Sequence, residues 1–380
     1  MIDSTSATAA RLDGANLRPL RGAADVWSIE LLRGIAALLV VAVHYQSLVG
    51  VDAGLLRFAF TGVDLFFVIS GFVFAPYLFG KALRPVPHLV RRFFRLYPLY
   101  LVALLAYAGL SWTQGQGLEQ LPKHLLLLHT WQTREIAFHY NPAFWSLPPE
   151  VEFYLALPLL ALVVRRIEAV LALTAIALAL HLMLAFASPI DAAAVNTAWR
   201  LSFHLPGLLV EFMVGALAWW GVGRGPSLAM RCGCITAGAV AWLVLALLFV
   251  ALSARGGDSG VNQSDALRGN VGMWAAGAYA LIVTAWVGWI THPPAWLAGL
   301  ARALGRLSYG VYLFHNLMPE LFKPMRAGLG GVAFAALCLA ATLVVSALLN
   351  WSWERPWREW GRSLAARMSA ARVNATSHAH

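Results

Sequence analysis

The sequence predicts an all-α integral membrane protein of about ten transmembrane helices, with both termini in the cytosol. Three observations carry this. Of 380 residues, 60% are hydrophobic and only 12% charged, and mean hydropathy is +0.67; a soluble domain has about a quarter of its residues charged. Apolar runs of roughly 17–25 residues recur along the chain, each long enough to cross a hydrocarbon core of about 30 Å. The 28 Lys and Arg divide unevenly over the intervening segments, 20 on the side shared by the termini and 8 on the other, which fits the positive-inside rule.

Apolar length, breakers and flanking charge place the spans at 29–49, 57–79, 96–112, 146–164, 168–187, 202–221, 234–253, 271–290, 306–322 and 330–351. Residues 1–28 lack the apolar core of a signal peptide and are expected to form a cytosolic tail. Residues 29–357 read as one membrane domain without internal repeats, and 358–380 as a short basic cytosolic tail. An odd number of spans would put that tail on the wrong side. The net charge of +10 accordingly points to orientation and anionic lipid, with no nucleic-acid partner. Cys232, Cys234 and Cys338 show neither a disulfide framework nor metal or redox spacing and are read as packing residues. No metal is expected.

Ionisable groups within spans cost about 2.5–3.5 kcal/mol each on insertion scales, so each needs a partner or a task. Span one contains ELLRGIAALLVVAVHY (30–45). Eleven helical steps of about 100° bring His44 to within about 20° of the direction of Arg33, roughly 16 Å along the axis. Glu30 lies one turn before Arg33 and can pair with it. Span two holds GVDLFFVISGF (62–72), with Asp64 in its outer third and Ser70 and Gly71 permitting close helix approach. Asp64 could accept a histidine ring N–H and fix its tautomer, or serve as a helix cap.

At the entrance to span three, RRFFRLYPLY (91–100) sets Arg91, Arg92 and Arg95 on the cytosolic side. They are either orienting charge or, through their forked donors, a phosphate site. Span four opens with WSLPPEVEFY (145–154), where Pro148 and Pro149 suit a helix start and Glu150 and Glu152 fall in the first turn. That end is expected outside, level with His44 and Asp64. Only RRIE joins spans four and five. In span nine, SYGVYLFHN (308–316) puts Ser308, Tyr312 and His315 at i, i+4 and i+7, a polar stripe lining a cavity or bonding a neighbouring helix, and Pro319 ends or kinks that helix.

Together these stretches resemble the acyltransferase-3 family, integral-membrane O-acyltransferases of bacterial envelope glycans and some secondary metabolites. The likeness covers about residues 26–357. It rests on Glu30-x-x-Arg33-Gly34 with His44 beyond, GVDLFFVISGF, RRFFRLYPLY, Trp145-Ser146-Leu147 leading to Glu150 and Phe153-Tyr154, Ser308-Tyr309 leading to Tyr312-Leu313 and His315, and Glu354-x-Pro356. The resemblance implies a bacterial cytoplasmic-membrane enzyme with an acyl-CoA donor on the cytosolic side and an acceptor hydroxyl reached from the far side. It also implies an essential histidine and upstream arginine, here His44 and Arg33. The double proline at 148–149 departs from the family pattern and softens the assignment of Glu150. The fused extracytoplasmic hydrolase-like domain of many relatives is not expected here.

The resemblance further implies a reaction that moves an acyl group, in the family's commonest case acetyl, from acyl-CoA to a sugar hydroxyl of an envelope glycan or glycolipid. Arg91, Arg92, Arg95 and Arg33 would receive the donor, and His44 would act as general base. Asp64 or Glu150 would orient its ring, and Glu30, Ser308, Tyr312 and His315 would line the path. No permanently bound cofactor is expected. The absence of a GxSxG elbow tilts toward direct transfer. Acylation of a glycosylated small molecule is the nearest alternative. A proton-coupled transporter or flippase is the competing class, since buried His, Asp and Glu also mark ion pathways.

Overall fold

The computed structural model describes residues 23–50, 54–191 and 193–377, so most of the predicted N-terminal tail lies outside the described residues. Ten long helices stand where the ten spans are predicted: α1 (Ala23–Val49), α2 (Gly62–Leu78), α3 (Pro85–Thr113), α4 (Leu147–Val163), α5 (Ile167–Ala187), α6 (Leu205–Gly223), α7 (Leu228–Ser253), α8 (Val271–Trp286), α9 (Ala295–Phe314) and α10 (Gly331–Leu349). An eleventh helix, α11 (Arg355–Ser377), follows a π-helical turn at Asn350–Glu354. No strand occurs among the described residues. Among the described residues eight segments are long and apolar enough to cross a membrane, and α8 is a shorter apolar helix of 16 residues.

Two boundaries differ from the sequence expectation. α3 starts at Pro85 rather than near 96, so Arg91, Arg92 and Arg95 lie inside the helix and not before it. The first turn accepts Pro85 because its missing N–H has no intrahelical partner there. α9 runs Ala295–Phe314 rather than 306–322. Arg302 and Arg306 are tolerated because both face outward, and the chain leaves the helix before Pro319. The basic C-terminal segment is helical through Ser377 and lies along α3, with Phe94 stacked on Trp357 at 5.8 Å and Arg84 donating to the Ser369 carbonyl at 3.0 Å.

Helices alternate in direction, so α1, α3, α5, α7 and α9 run from what we call the proximal end to the distal end. Small residues set the closest packing. A β-carbon at Gly71 of α2 would overlap the Phe212 carbonyl of α6, and one at Gly215 of α6 the Val68 carbonyl of α2, the close approach expected of small residues in GVDLFFVISGF. The parallel pair α1 and α9 meets in the same way: Gly34 lies against Leu304, and Glu30 against Gly305. The functional groups are gathered by these two pairings.

Candidate active site

Five helices enclose a cavity of about 80 Å³ in the bundle. Arg33 enters it from α1, Ser70 from α2, Arg92 and Arg95 from α3, Glu150 and Tyr154 from α4, and Ser308 and Tyr312 from α9. Three guanidinium groups face one cavity carboxylate, an arrangement suited to an anionic ligand. Tyr154 donates its hydroxyl to Glu150, and Ser70 reaches the same oxygen at 3.5 Å. Arg92 lies over the rings of Phe74 and Tyr154 at 5.1 and 5.7 Å, and its Nε is buried without a hydrogen-bond partner. Arg33 is close enough to Glu30, Glu150 and Arg95 to interact with each. Arg91 is half-buried and does not line the cavity.

Arg95 is tied from behind. Glu354, only 2% exposed, holds Arg95 at 3.3 Å and Arg358 at 3.4 Å, and accepts from Asn350 at 2.9 Å. This gives the Glu354-x-Pro356 signature a physical reason: its carboxylate fixes an arginine of the cavity and joins α11 to α3. On the distal side Tyr312 closes the cavity, bonded to Ser146 at 2.6 Å and to the Ala143 carbonyl at 2.5 Å. An apolar cleft of about 250 Å³ between α3 and α4 shares Arg92, Tyr154 and Tyr309 with it.

His44 does not line this cavity; it lies one and a half turns short of the distal end of α1, paired with His315. The rings meet edge to face with centroids 4.9 Å apart, and His315 Nε2 is 3.3 Å from His44 Nδ1. The neighbouring carbonyls settle the tautomers. His315 Nδ1 faces the Tyr312 carbonyl at 2.9 Å and the Val311 carbonyl at 3.2 Å, so it carries the proton and Nε2 offers a lone pair. His44 Nδ1 faces both that lone pair and the Val40 carbonyl at 2.8 Å, so it too carries the proton. The basic nitrogen of His44 is therefore Nε2. Tyr45 secures the backbone behind the pair, donating to the His315 carbonyl at 2.8 Å.

The remaining predicted carboxylates go elsewhere. Asp64 does not meet His44: it faces Glu211 of α6, the two carboxyls being within hydrogen-bond reach, and a β-carbon at Gly272 would come within 2.6 Å of Asp64 Oδ1. A carboxyl–carboxyl hydrogen bond holds one proton between its members. Glu150 is in the arginine cavity, not level with His44 and Asp64 as expected. Its neighbour Glu152 binds His204 at 2.6 Å and the Leu205 amide at 2.8 Å, satisfying the start of α6. Sequence reasoning missed Glu211, although a lone carboxylate within LPGLLVEFMV is a costly residue of the kind it sought. Among the described residues no three His, Cys, Asp or Glu side chains converge as metal ligands.

The acyltransferase domain of the acyltransferase-3 family matches residues 26–351. A protein of Komagataeibacter xylinus bearing the name membrane-bound transacylase BcsY is 27% identical over 309 residues, covering 76% of this chain and 71% of its own. "Protein 2 in picA locus" of Rhizobium radiobacter is 43% identical over 86 residues, covering 21% of this chain and 43% of its own. No solved structure matches. The match over most of the length, on a bundle that seats Arg33, Glu150, Tyr312 and His44 in ordered sites, makes the chain a membrane acyltransferase belonging to the acyltransferase-3 family.

Proposed function

We propose that the protein transfers an acyl group, acetyl in the simplest case, from cytosolic acyl-CoA to a sugar hydroxyl of an envelope glycan or glycolipid, at a bacterial inner membrane with both termini inside. The observation that carries this reading is the pairing of two compartments on one helix, the arginine cavity at Arg33 and the histidine pair at His44. The rise of α1 between them is about 16 Å, and a pantetheine arm is of similar length, of order 15–20 Å. Donor phosphates meet Arg92 and Arg33, with Arg95 held in place by Glu354, and the arm extends toward Tyr312 and His44.

His44 Nε2 then takes the proton of the acceptor hydroxyl as its oxygen attacks the thioester carbonyl. The new C–O bond forms, the C–S bond breaks, and the imidazolium returns its proton to the departing thiolate. General-base assistance of this kind contributes about 10²–10⁴ in rate. His315, rather than Asp64 or Glu150, orients the ring of His44; Glu150 anchors Tyr154 and faces the arginines.

The test is acyl transfer by purified protein in lipid nanodiscs, supplied with radiolabelled acetyl-CoA and an envelope glycan fraction. Labelled, base-labile glycan ester from the wild type and none from folded His44→Ala is expected. Donor left intact while glycan crosses the bilayer would replace the enzyme by a transporter, and near-normal ester from His44→Ala would remove His44 as the base.

A further inference from the structure

A second cavity, of about 650 Å³, opens at the distal end of the bundle, where α1, α5 and α7 finish and α2, α6 and α8 begin. It stands back to back with the arginine cavity. Trp145 lines the distal cavity and Ser146 the arginine cavity; Asp64 lines the first and Phe66 the second. Ligand pockets span about 300–1,000 Å³, so the distal cavity is of binding size. At about 30 Å³ per water it holds roughly twenty waters, room for a sugar ring.

Its walls combine two chemistries. One is aromatic: Trp145 and Trp199 each pack on Phe203, with centroids 5.2 and 4.7 Å apart. The other is polar and unsatisfied. Buried polar groups are nearly always hydrogen-bonded, yet Gln46 Oε1 and Arg268 Nε–H are buried without a hydrogen-bond partner, and the carboxyl of Glu211 has only that of Asp64. These residues line the cavity beside His181, which is tied to Gly207 and Asn270, and Glu211 is only 1% exposed. Hydroxyl groups both donate and accept, so a polyol satisfies an amide oxygen, a guanidinium N–H and the remaining acceptor capacity of a carboxyl pair together. A sugar ring also carries an apolar C–H face that matches a Trp–Phe wall.

We propose that the distal cavity seats a sugar ring of the acceptor, with Glu211, Asp64 and Gln46 reading its hydroxyls and Trp199 and Trp145 its face. The acceptor role rests on the acyl-transfer reading; the binding does not. Saturation-transfer NMR on the nanodisc protein, without donor, tests it with methyl glycosides of glucose, galactose, N-acetylglucosamine and rhamnose. Wild type is expected to bind at least one of them, Glu211→Gln and Trp199→Ala to bind it at least fivefold more weakly, and Trp199→Phe to retain most of the affinity. Thermal unfolding verifies that each variant is folded. Binding without acyl transfer to any glycan would support the sugar site while refuting the proposed reaction. No binding by wild type, or undiminished binding by both folded variants, would reduce the cavity to a water-filled vestibule.

Discussion

The hydrogen bond between the two histidines makes a quantitative claim about catalysis. Replacing His315 by Leu keeps the volume of a fully buried side chain while deleting the lone pair that faces His44 Nδ1–H. In the resting state the loss is small, because the Val40 carbonyl at 2.8 Å still fixes the same tautomer. In the proposed reaction the cost arises once His44 has taken the hydroxyl proton, when Nδ1–H belongs to a cation. A hydrogen bond to a charged group is worth about 1.5–3 kcal/mol, or roughly 10- to 150-fold in rate. The 3.3 Å separation and the competing carbonyl put the effect at the lower end, about 10- to 30-fold in kcat. The KM for acyl-CoA should stay within about twofold, since the arginine cavity is untouched. His315→Gln, which can present an amide oxygen to the same N–H, should recover part of the loss. Initial rates at saturating donor, with unfolding temperatures as the fold control, measure all three proteins. A kcat for folded His315→Leu within twofold of wild type would refute the orienting role. A loss matching His44→Ala, of 10²-fold or more, would make His315 itself the candidate base.

Arg92→Ala should raise the KM for acyl-CoA about tenfold with kcat nearly unchanged, because its guanidinium faces the cavity and rests on the rings of Phe74 and Tyr154; unaltered donor KM in rate measurements would return Arg92 to a lipid-anchoring role. Arg95→Ala should instead lower the unfolding temperature, since it removes one partner of buried Glu354; Arg358 and Asn350 keep the loss below the roughly 3–5 kcal/mol of a fully stranded charge, and a circular-dichroism melt reads it. In the segment joining α3 to α4, His124 and His129 stack at 4.2 Å, and burial above all holds them down to about 4 and about 3. Both are neutral when folded, so their penalty is absent above about pH 6.5 and grows as pH falls toward about 4, at up to about 1.4 kcal/mol per unit each. Melting temperatures should therefore drop from pH 7 to pH 5, less steeply in His129→Gln, and an unchanged slope in that variant would refute the assignment.

Much of this was legible in the sequence because membrane spans are written locally, in length and hydropathy. All ten predicted spans have a helix. The displaced start of α3 has a physical cause: by composition alone its arginines mark a membrane edge, whereas Arg92 lines a cavity inside the bundle and Arg95 pairs with Glu354, 259 residues further along the chain. Partnerships are what local patterns do not contain. His44 and Asp64 stand out in the sequence as costly groups, but their partners, His315 and Glu211, are chosen by which helices pack together. The α2–α6 contact at Gly71 and Gly215 brings Asp64 to Glu211 and so takes it out of reach of His44. The expectation that Glu150 lies level with His44 failed for a related reason. A 3-10 turn at Pro142–Ser146 leads into α4, and Ser146 is bonded to Tyr312, so the first turn of α4 opens onto the arginine cavity rather than at the distal surface.

The spacing of Arg33 and His44 acquires its meaning from α9. A helix alone can hold two groups on one face about 16 Å apart, but it does not supply the second histidine. α9 runs parallel to α1 and touches it at Gly34 and Leu304, then again at His44 and His315. Ten residues on one helix match eleven on the other, so the two remain nearly in register from the arginine cavity to the histidine pair. Any side chain larger than hydrogen at Gly34 would meet Leu304 and force the helices apart at the start of that run. Gly34, next to the arginine in the signature, is thus part of the same device. It lets α1 and α9 approach closely enough that a residue on each, a cavity's length away, can share one hydrogen bond.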